Sequence, residues 1–131
     1  MKCLFTVCMS VYKNDKPEFV RVAFDSMLVE QSIKPSEILL VRDGKVSEEL
    51  EDLLCKYETQ FPNIFRIIRL KQNEGLGKAL ELGVRFAKNE IVARMDSDDI
   101  CLSKRFEKQL IYLEQHPECD IVGGTISEFI K

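Results

Sequence analysis

Four short apolar runs organise this chain: residues 4–11 (LFTVCMSV), 37–41 (EILLV), 64–70 (IFRIIRL) and 91–95 (IVARM). They are nearly continuous in apolar character, the pattern of strands buried on both faces. Between them lie segments with helical spacing. In the first, Phe19, Val22, Ala23, Ser26 and Met27 share a predicted face, Pro17 suits the first turn, and Asp15 with Glu18 has capping-box spacing. Ser47 is the predicted cap of a helix with the stripe Leu50, Leu53, Leu54 and Tyr57. The third segment puts Leu76, Ala79, Leu80, Gly83 and Ala87 on one face, and Ser103 caps a fourth carrying Phe106, Leu110 and Leu113. Asp120 to Gly124 opens a fifth strand. Strict alternation of strand and helix predicts an α/β fold, an open, mostly parallel sheet with helices on both faces.

The 131 residues fit one domain, and 45% apolar with 31% charged residues is ordinary globular composition. A net charge of −3 gives no broad basic field, so nucleic acid is not an expected partner. Five cysteines show no CxxC and no paired spacing with the single histidine, His116. That argues against zinc and for reduced thiols and a cytoplasmic location. The first apolar run is about 8 residues long and lacks a small-residue cleavage site, so it reads as a strand rather than a signal peptide. No apolar run approaches the ~20 residues that span a bilayer.

Open parallel sheets bind ligands outside the carboxyl ends of their strands. The notable polar residues fall there. Ser10 and Tyr12 follow the first strand, Asp43 the second, Asn73 the third, and Asp96, Asp98 and Asp99 the fourth. In extended backbone, residues i and i+2 point to one side about 6.6 Å apart. Asp96 and Asp98 can therefore both face the crevice while Ser97 points away. Oxygen-only donors favour Mg²⁺ or Mn²⁺ over zinc, and Mg²⁺ is usually held by one or two carboxylates plus substrate phosphates. The plain alternative is a solvated acidic turn, with Asp99 capping the next helix. Asp43 can accept hydrogen bonds from a base or ribose, or be an ordinary turn Asp before Gly44. Ser10 and Tyr12 offer a hydroxyl and an aromatic face, or simply end a strand. Lys78 lies in a helix's first turn, where it opposes the dipole; a nearby anion would explain it, and so would plain solvation. The surrounding NEGLGKAL is neither a P-loop nor a complete dinucleotide fingerprint.

Taken in order, SVYKND, EILLVRDG, NEGLGKALELGVRFAKNEIVARMDSDD, KRFEKQ and DIVGG resemble the family 2 glycosyltransferases. The resemblance runs over essentially the whole chain. It is strongest to bacterial members that build capsule, exopolysaccharide or lipopolysaccharide. It implies the GT-A, Rossmann-like fold, of which residues 1–131 form the N-terminal, nucleotide-sugar-binding half. It implies that Ser10 and Tyr12 line the uracil pocket, that Asp43 is the nucleobase-binding acid and that Lys78 lies near the nucleotide. Asp96 and Asp98 match the family's D-x-D, contacting ribose and the metal on the diphosphate, so that Asp96 serves both donor and metal. Asp99 matches a frequent extra acid. The implied reaction is inverting transfer of a sugar from a nucleoside-diphosphate sugar, with UDP favoured, to a saccharide or lipid-linked acceptor. The implied metal is Mg²⁺ or Mn²⁺, and the implied setting is peripheral contact of the full-length protein with the inner face of the cytoplasmic membrane. Two positions depart from the family pattern. Arg42 stands where many members have a first acid, and Lys45 where a Ser often follows the glycine. The catalytic base of inverting members belongs to the acceptor half, beyond Lys131. The strand-like segment at the end of the chain is the pattern of a partial chain, so the fragment alone is expected to be inactive.

Two other classes fit less well. A nucleotidyltransferase-like enzyme needs a basic, glycine-rich loop after the first strand, and SVYKNDKPEF has no glycine. A haloacid-type phosphatase puts its D-x-D after the first strand, not the fourth. A non-catalytic nucleotide-binding or receiver-like module needs acids after the first and third strands, and TVCMSVY ends without one.

Overall fold

The computed structural model describes residues 4–29, 31–97 and 104–116. The elements run β1 (Phe5–Val11), α1 (Pro17–Leu28), β2 (Glu37–Arg42), α2 (Glu48–Gln60), β3 (Phe65–Arg69), α3 (Leu76–Phe86), β4 (Ile91–Arg94) and α4 (Arg105–Gln115). All four strands are parallel, in the order β3-β2-β1-β4. The predicted fifth strand, the Ser103 cap, Asp98 and Asp99 lie outside the described residues.

Alternation along β1 and β2 divides the helices between the two faces. Phe5, Val7, Met9 and Val11 of β1 and Ile38 and Leu40 of β2 join one apolar cluster with residues of α1, α2 and α4. Aromatic rings seal it: Phe24 lies 4.9 Å from Tyr57 and 5.0 Å from Phe65, and Phe5 lies 4.9 Å from Phe106. The other face, with Cys8 and Leu39, receives α3. There Gly83 lets the helix approach closely, since a Cβ at that position would stand 3.1 Å from the Cys8 sulfur. Burial, and then the nearby Glu37 charge, push the Cys8 thiol up to about 11, so it stays protonated at neutral pH. Helices thus cover both faces, as the alternation predicts.

Two helix details differ from expectation. The buried stripe of α1 is Val20, Ala23, Phe24 and Met27, while Val22 is 40% exposed. The spacing is the expected one, rotated so that the large Phe24 ring enters the core. The N-cap is Lys16 rather than Asp15, and no side chain caps it. Lys16 precedes a proline and is therefore held extended, at φ −90° and ψ 128°. The Asp15 carboxylate instead accepts from the Tyr12 N–H at 2.9 Å. Ser47 does cap α2, its hydroxyl accepting from the Leu50 N–H at 3.1 Å.

One ion-pair network joins the carboxyl ends of β2 and β3 to α2. Arg42 and Arg69 are register partners and share the Glu51 carboxylate, at 2.6 and 3.0 Å. Arg69 also reaches Glu58 at 3.1 Å. Burial alone would raise the Glu51 carboxyl, but the hydrogen bonds from Arg42 and Arg69 outweigh it and hold it below its ordinary 4.5. A depressed folded value contributes stability that is complete above the unfolded value and is lost as pH falls through the folded one. Glu51→Gln should therefore cost about 1 kcal/mol at pH 7, the upper range for a partly exposed pair. The gap from wild type should close below pH 4.5 in urea melts. A gap that persists at lower pH would show that the network is not what the substitution removes.

Candidate functional site

Pairing register and alternation bring Ser10, Asp43 and Asp96 toward one side of one edge. Thr6, Cys8 and Ser10 of β1 share a side, as do Leu39 and Val41 of β2, and Ser10 pairs with Val41. On β4, Val92 pairs with Thr6 and Arg94 with Cys8. Carried past the strand ends, the same alternation brings Asp43 and Asp96 to the α3 side of the carboxyl edge, with Lys78 in the first turn of α3. Ser10, half-buried, is the last of these within a strand.

The five described candidates differ in what surrounds them. Asp96 is open: its side chain is 59% exposed, and among the described residues its ion-pair partner is Arg94, at 4.0 Å. Ser97 beside it is buried, in a turn that follows β4. Lys78 is exposed and makes no ion pair among the described residues. Tyr12 is 41% exposed and, with Phe19 and Ser97, borders a hollow of about 240 Å³ between the β1–α1 turn and the end of β4.

Asp43 is the exception. It is 4% exposed, and both carboxylate oxygens are engaged by backbone of the β3–α3 loop. Oδ1 accepts from the Glu74 N–H at 2.7 Å and Oδ2 from the Gly75 N–H at 3.1 Å. The Asn73 side-chain amide donates to the Asp43 carbonyl at 3.3 Å. Gly44, at φ +86°, lies so close to this loop that a Cβ would fall 2.7 Å from the Asn73 nitrogen. Each carboxylate oxygen keeps a further lone pair that can accept a donor from a ligand. Sequence reasoning placed Asn73 on the edge but did not connect it with Gly44. The signal was the pairing of an Asp-Gly turn with a second glycine turn one strand away, both glycines having positive φ.

An exposed carboxylate is a donor that suits a hard cation. Asp96 offers open carboxylate oxygens, and no group of three His, Cys, Asp or Glu side chains among the described residues competes as a metal site. Along one edge, then, stand an exposed carboxylate, an exposed ammonium, a hydroxyl and an aromatic ring. That combination can hold a polyanion through a cation and a base through stacking and hydrogen bonds.

The family described as Glycosyl transferase family 2 matches residues 6–131. A Haemophilus influenzae protein described as an uncharacterized glycosyltransferase is 47% identical over 97% of this chain and 46% of its own length. The amylovoran biosynthesis glycosyltransferase AmsE of Erwinia amylovora is 43% identical over 96% of this chain and 46% of its own. An Escherichia coli UDP-Gal:alpha-D-GlcNAc-diphosphoundecaprenol beta-1,3-galactosyltransferase is 34% identical, with 95% and 44% covered. The chain thus spans about half the length of the curated relatives it matches. Among solved structures, S. aureus TarS 1-349 in complex with UDP superposes with a TM-score of 0.73 at 21% identity, over 88% of this chain and 33% of that one. A Pyrobaculum calidifontis mannosyltransferase in complex with GDP-Man and Mn²⁺ gives 0.62 at 20% identity, over 73% and 28%. At these identities the two structures establish the GT-A fold.

Proposed function

The chain belongs to glycosyl transferase family 2, and from that membership we propose that it is the donor-binding half of an inverting glycosyltransferase of polysaccharide biosynthesis. The observation that carries the proposal is the convergence of Ser10, Asp43, Asp96 and Lys78 on the α3 side of the carboxyl edge. In this reading the donor is a nucleoside-diphosphate sugar, with UDP the expected nucleotide. Two of the named relatives and neighbours carry UDP in their descriptions and one carries GDP-Man, which supports a nucleotide-sugar donor. Tyr12 stacks on the base, Ser10 and Asp43 bond its polar edge, and Lys78 offsets diphosphate charge. Asp96 and Asp98 would hold Mg²⁺ or Mn²⁺, with Asp96 also reaching the ribose.

In the reaction, an acceptor hydroxyl attacks the anomeric carbon while a general base takes its proton. The bond from that carbon to the diphosphate oxygen breaks, and the electron pair leaves with the nucleoside diphosphate. When bound, the cation supplies Lewis-acid stabilisation of that leaving group. This chain's residues fix the donor with its anomeric carbon facing the acceptor. The general base and the residues that bind the saccharide or lipid-linked acceptor would lie outside residues 1–131. Contact with a membrane surface would come through such an acceptor. No helix among the described residues is long and apolar enough to cross a membrane.

Calorimetric titration with UDP, with and without Mn²⁺, tests the reading. Binding should weaken at least tenfold, about 1.4 kcal/mol, when the metal is withheld. GDP and dTDP in the same titration should bind more weakly than UDP. Failure of every nucleoside diphosphate to bind would refute the donor-site reading. UDP binding that ignores the metal would refute the metal assignment alone.

A further inference from the structure

The contacts of Asp43 point to a role different from, and additional to, recognition of a base. We propose that Asp43, Gly44 and Asn73 form a clasp that positions the first turn of α3, and with it Lys78, for the donor. The proposal rests on the donor-site reading above and adds positioning residues to it.

Helix α3 has no capping side chain of its own. Its N-cap is Gly75, at φ +95° and ψ 159°. What anchors the approach to the helix comes from β2 instead. Asp43 takes the N–H groups of Glu74 and Gly75, one on each carboxylate oxygen. Asn73 returns a bond to the Asp43 carbonyl. Arg42 holds the near end of the same loop, its carbonyl accepting from the Leu70 N–H at 2.9 Å and its guanidinium donating to the Leu70 carbonyl at 3.2 Å. Gly44 provides the clearance: a Cβ there would also come within 3.0 Å of the Gln72 carbonyl carbon and 3.1 Å of the Asn73 Cα. These neighbours are backbone and cannot swing aside, and the positive φ is itself unfavourable to any other residue.

Lys78 stands three residues beyond Gly75, in the first turn of α3, and a Cβ at Gly77 between them would meet nothing within 4 Å. No side chain braces Lys78 through an ion pair among the described residues. Its position is therefore set by the backbone of Glu74 and Gly75, which Asp43 fixes. A flexible lysine becomes a well-aimed charge only if its backbone is held, because immobilising it at the moment of binding costs conformational entropy.

A double-mutant cycle tests the clasp through a residue that no ligand needs to touch. Gly44→Ala should weaken UDP binding about tenfold in the presence of Mn²⁺, and Lys78→Ala by a similar factor. If the clasp acts through Lys78, Gly44→Ala should cost less than about threefold in the Lys78→Ala background. Losses that multiply to about a hundredfold, or wild-type affinity in a folded Gly44→Ala protein, would overturn the proposal. Should Gly44→Ala fail to fold, Asn73→Ala replaces it in the cycle, since it removes the amide that bonds the Asp43 carbonyl and leaves the groups assigned to the donor in place. Hydrogen exchange without nucleotide gives a second reading. In Asp43→Asn the amides of residues 74–79 should exchange faster while those of β1 keep their protection, and unchanged exchange at 74–79 would also overturn the clasp. If wild type binds no UDP, the donor-site reading fails; if it binds and the cycle is multiplicative, only the clasp fails.

Discussion

Asp96→Asn, and separately Asp98→Asn, should each remove the metal-dependent part of UDP binding, at least tenfold in Kd or about 1.4 kcal/mol. The amide has the shape of the carboxylate without its charge, and a hard divalent ion held by one or two carboxylates depends on that charge. The fold should not notice the change at Asp96. Its side chain is 59% exposed, and among the described residues it pairs with an equally exposed Arg94 at 4.0 Å. Surface substitutions of that kind stay within about 0.5 kcal/mol. The expected signature is therefore a large loss in a Mn²⁺-dependent titration with an unshifted thermal midpoint. Wild-type UDP affinity in both variants would end the D-x-D assignment. A shared loss with and without Mn²⁺ would move these acids from the metal to the nucleotide itself.

The part of this site that is legible in the sequence is the part made by the chain direction. Four apolar runs separated by helical segments fix a parallel sheet, and a parallel sheet fixes which edge collects Ser10, Asp43 and Asp96. Composition of single residues carries less. The Asp15-x-x-Glu18 spacing reads as a capping box, yet Pro17 holds Lys16 extended and moves the cap by one residue. The stripe on α3 was expected to include Leu76 and Ala87, but Leu76 is 52% exposed and Ala87 lies past the last helical residue. Small residues fill that packing: Ala79 and Gly83 are the buried ones, and at Gly83 close approach to Cys8 leaves little room for a larger side chain. Arg42, noted only as a departure from the family pattern, turns out to be a member of an ion-pair network in which it shares Glu51 with Arg69. Long-range pairings of this kind join residues 9 to 32 positions apart, across register relations that no local pattern encodes.

The opposite edge of the sheet holds a polar cluster of the same kind, and its removal should cost more than any surface change. Glu37, the first residue of β2, is 3% exposed. Its carboxylate accepts from the Thr6 hydroxyl and the Lys88 N–H, both at 2.8 Å, and from Arg66 at 3.3 Å. Asn89 extends the cluster, donating to the Thr6 and Ser36 hydroxyls at 3.1 and 2.8 Å. The turn between α3 and β4 is thereby tied to β1 and β2, the strands it must pass on its way to β4. Hydrogen bonds to a charged group contribute about 1.5 to 3 kcal/mol each, and a buried N–H left without a partner adds its desolvation cost. Glu37→Ala should destabilise the protein by about 3 to 4 kcal/mol in urea unfolding, a large share of a typical domain's total. Glu37→Gln keeps an acceptor for one donor but turns its own N–H₂ toward another, so it should fall between Ala and wild type. Because this cluster lies at the amino ends of the strands, UDP affinity measured on the folded fraction should stay within about twofold of wild type. A loss below 1 kcal/mol for Glu37→Ala would mean that water replaces the carboxylate at no cost, and that β4 is placed by the apolar core alone.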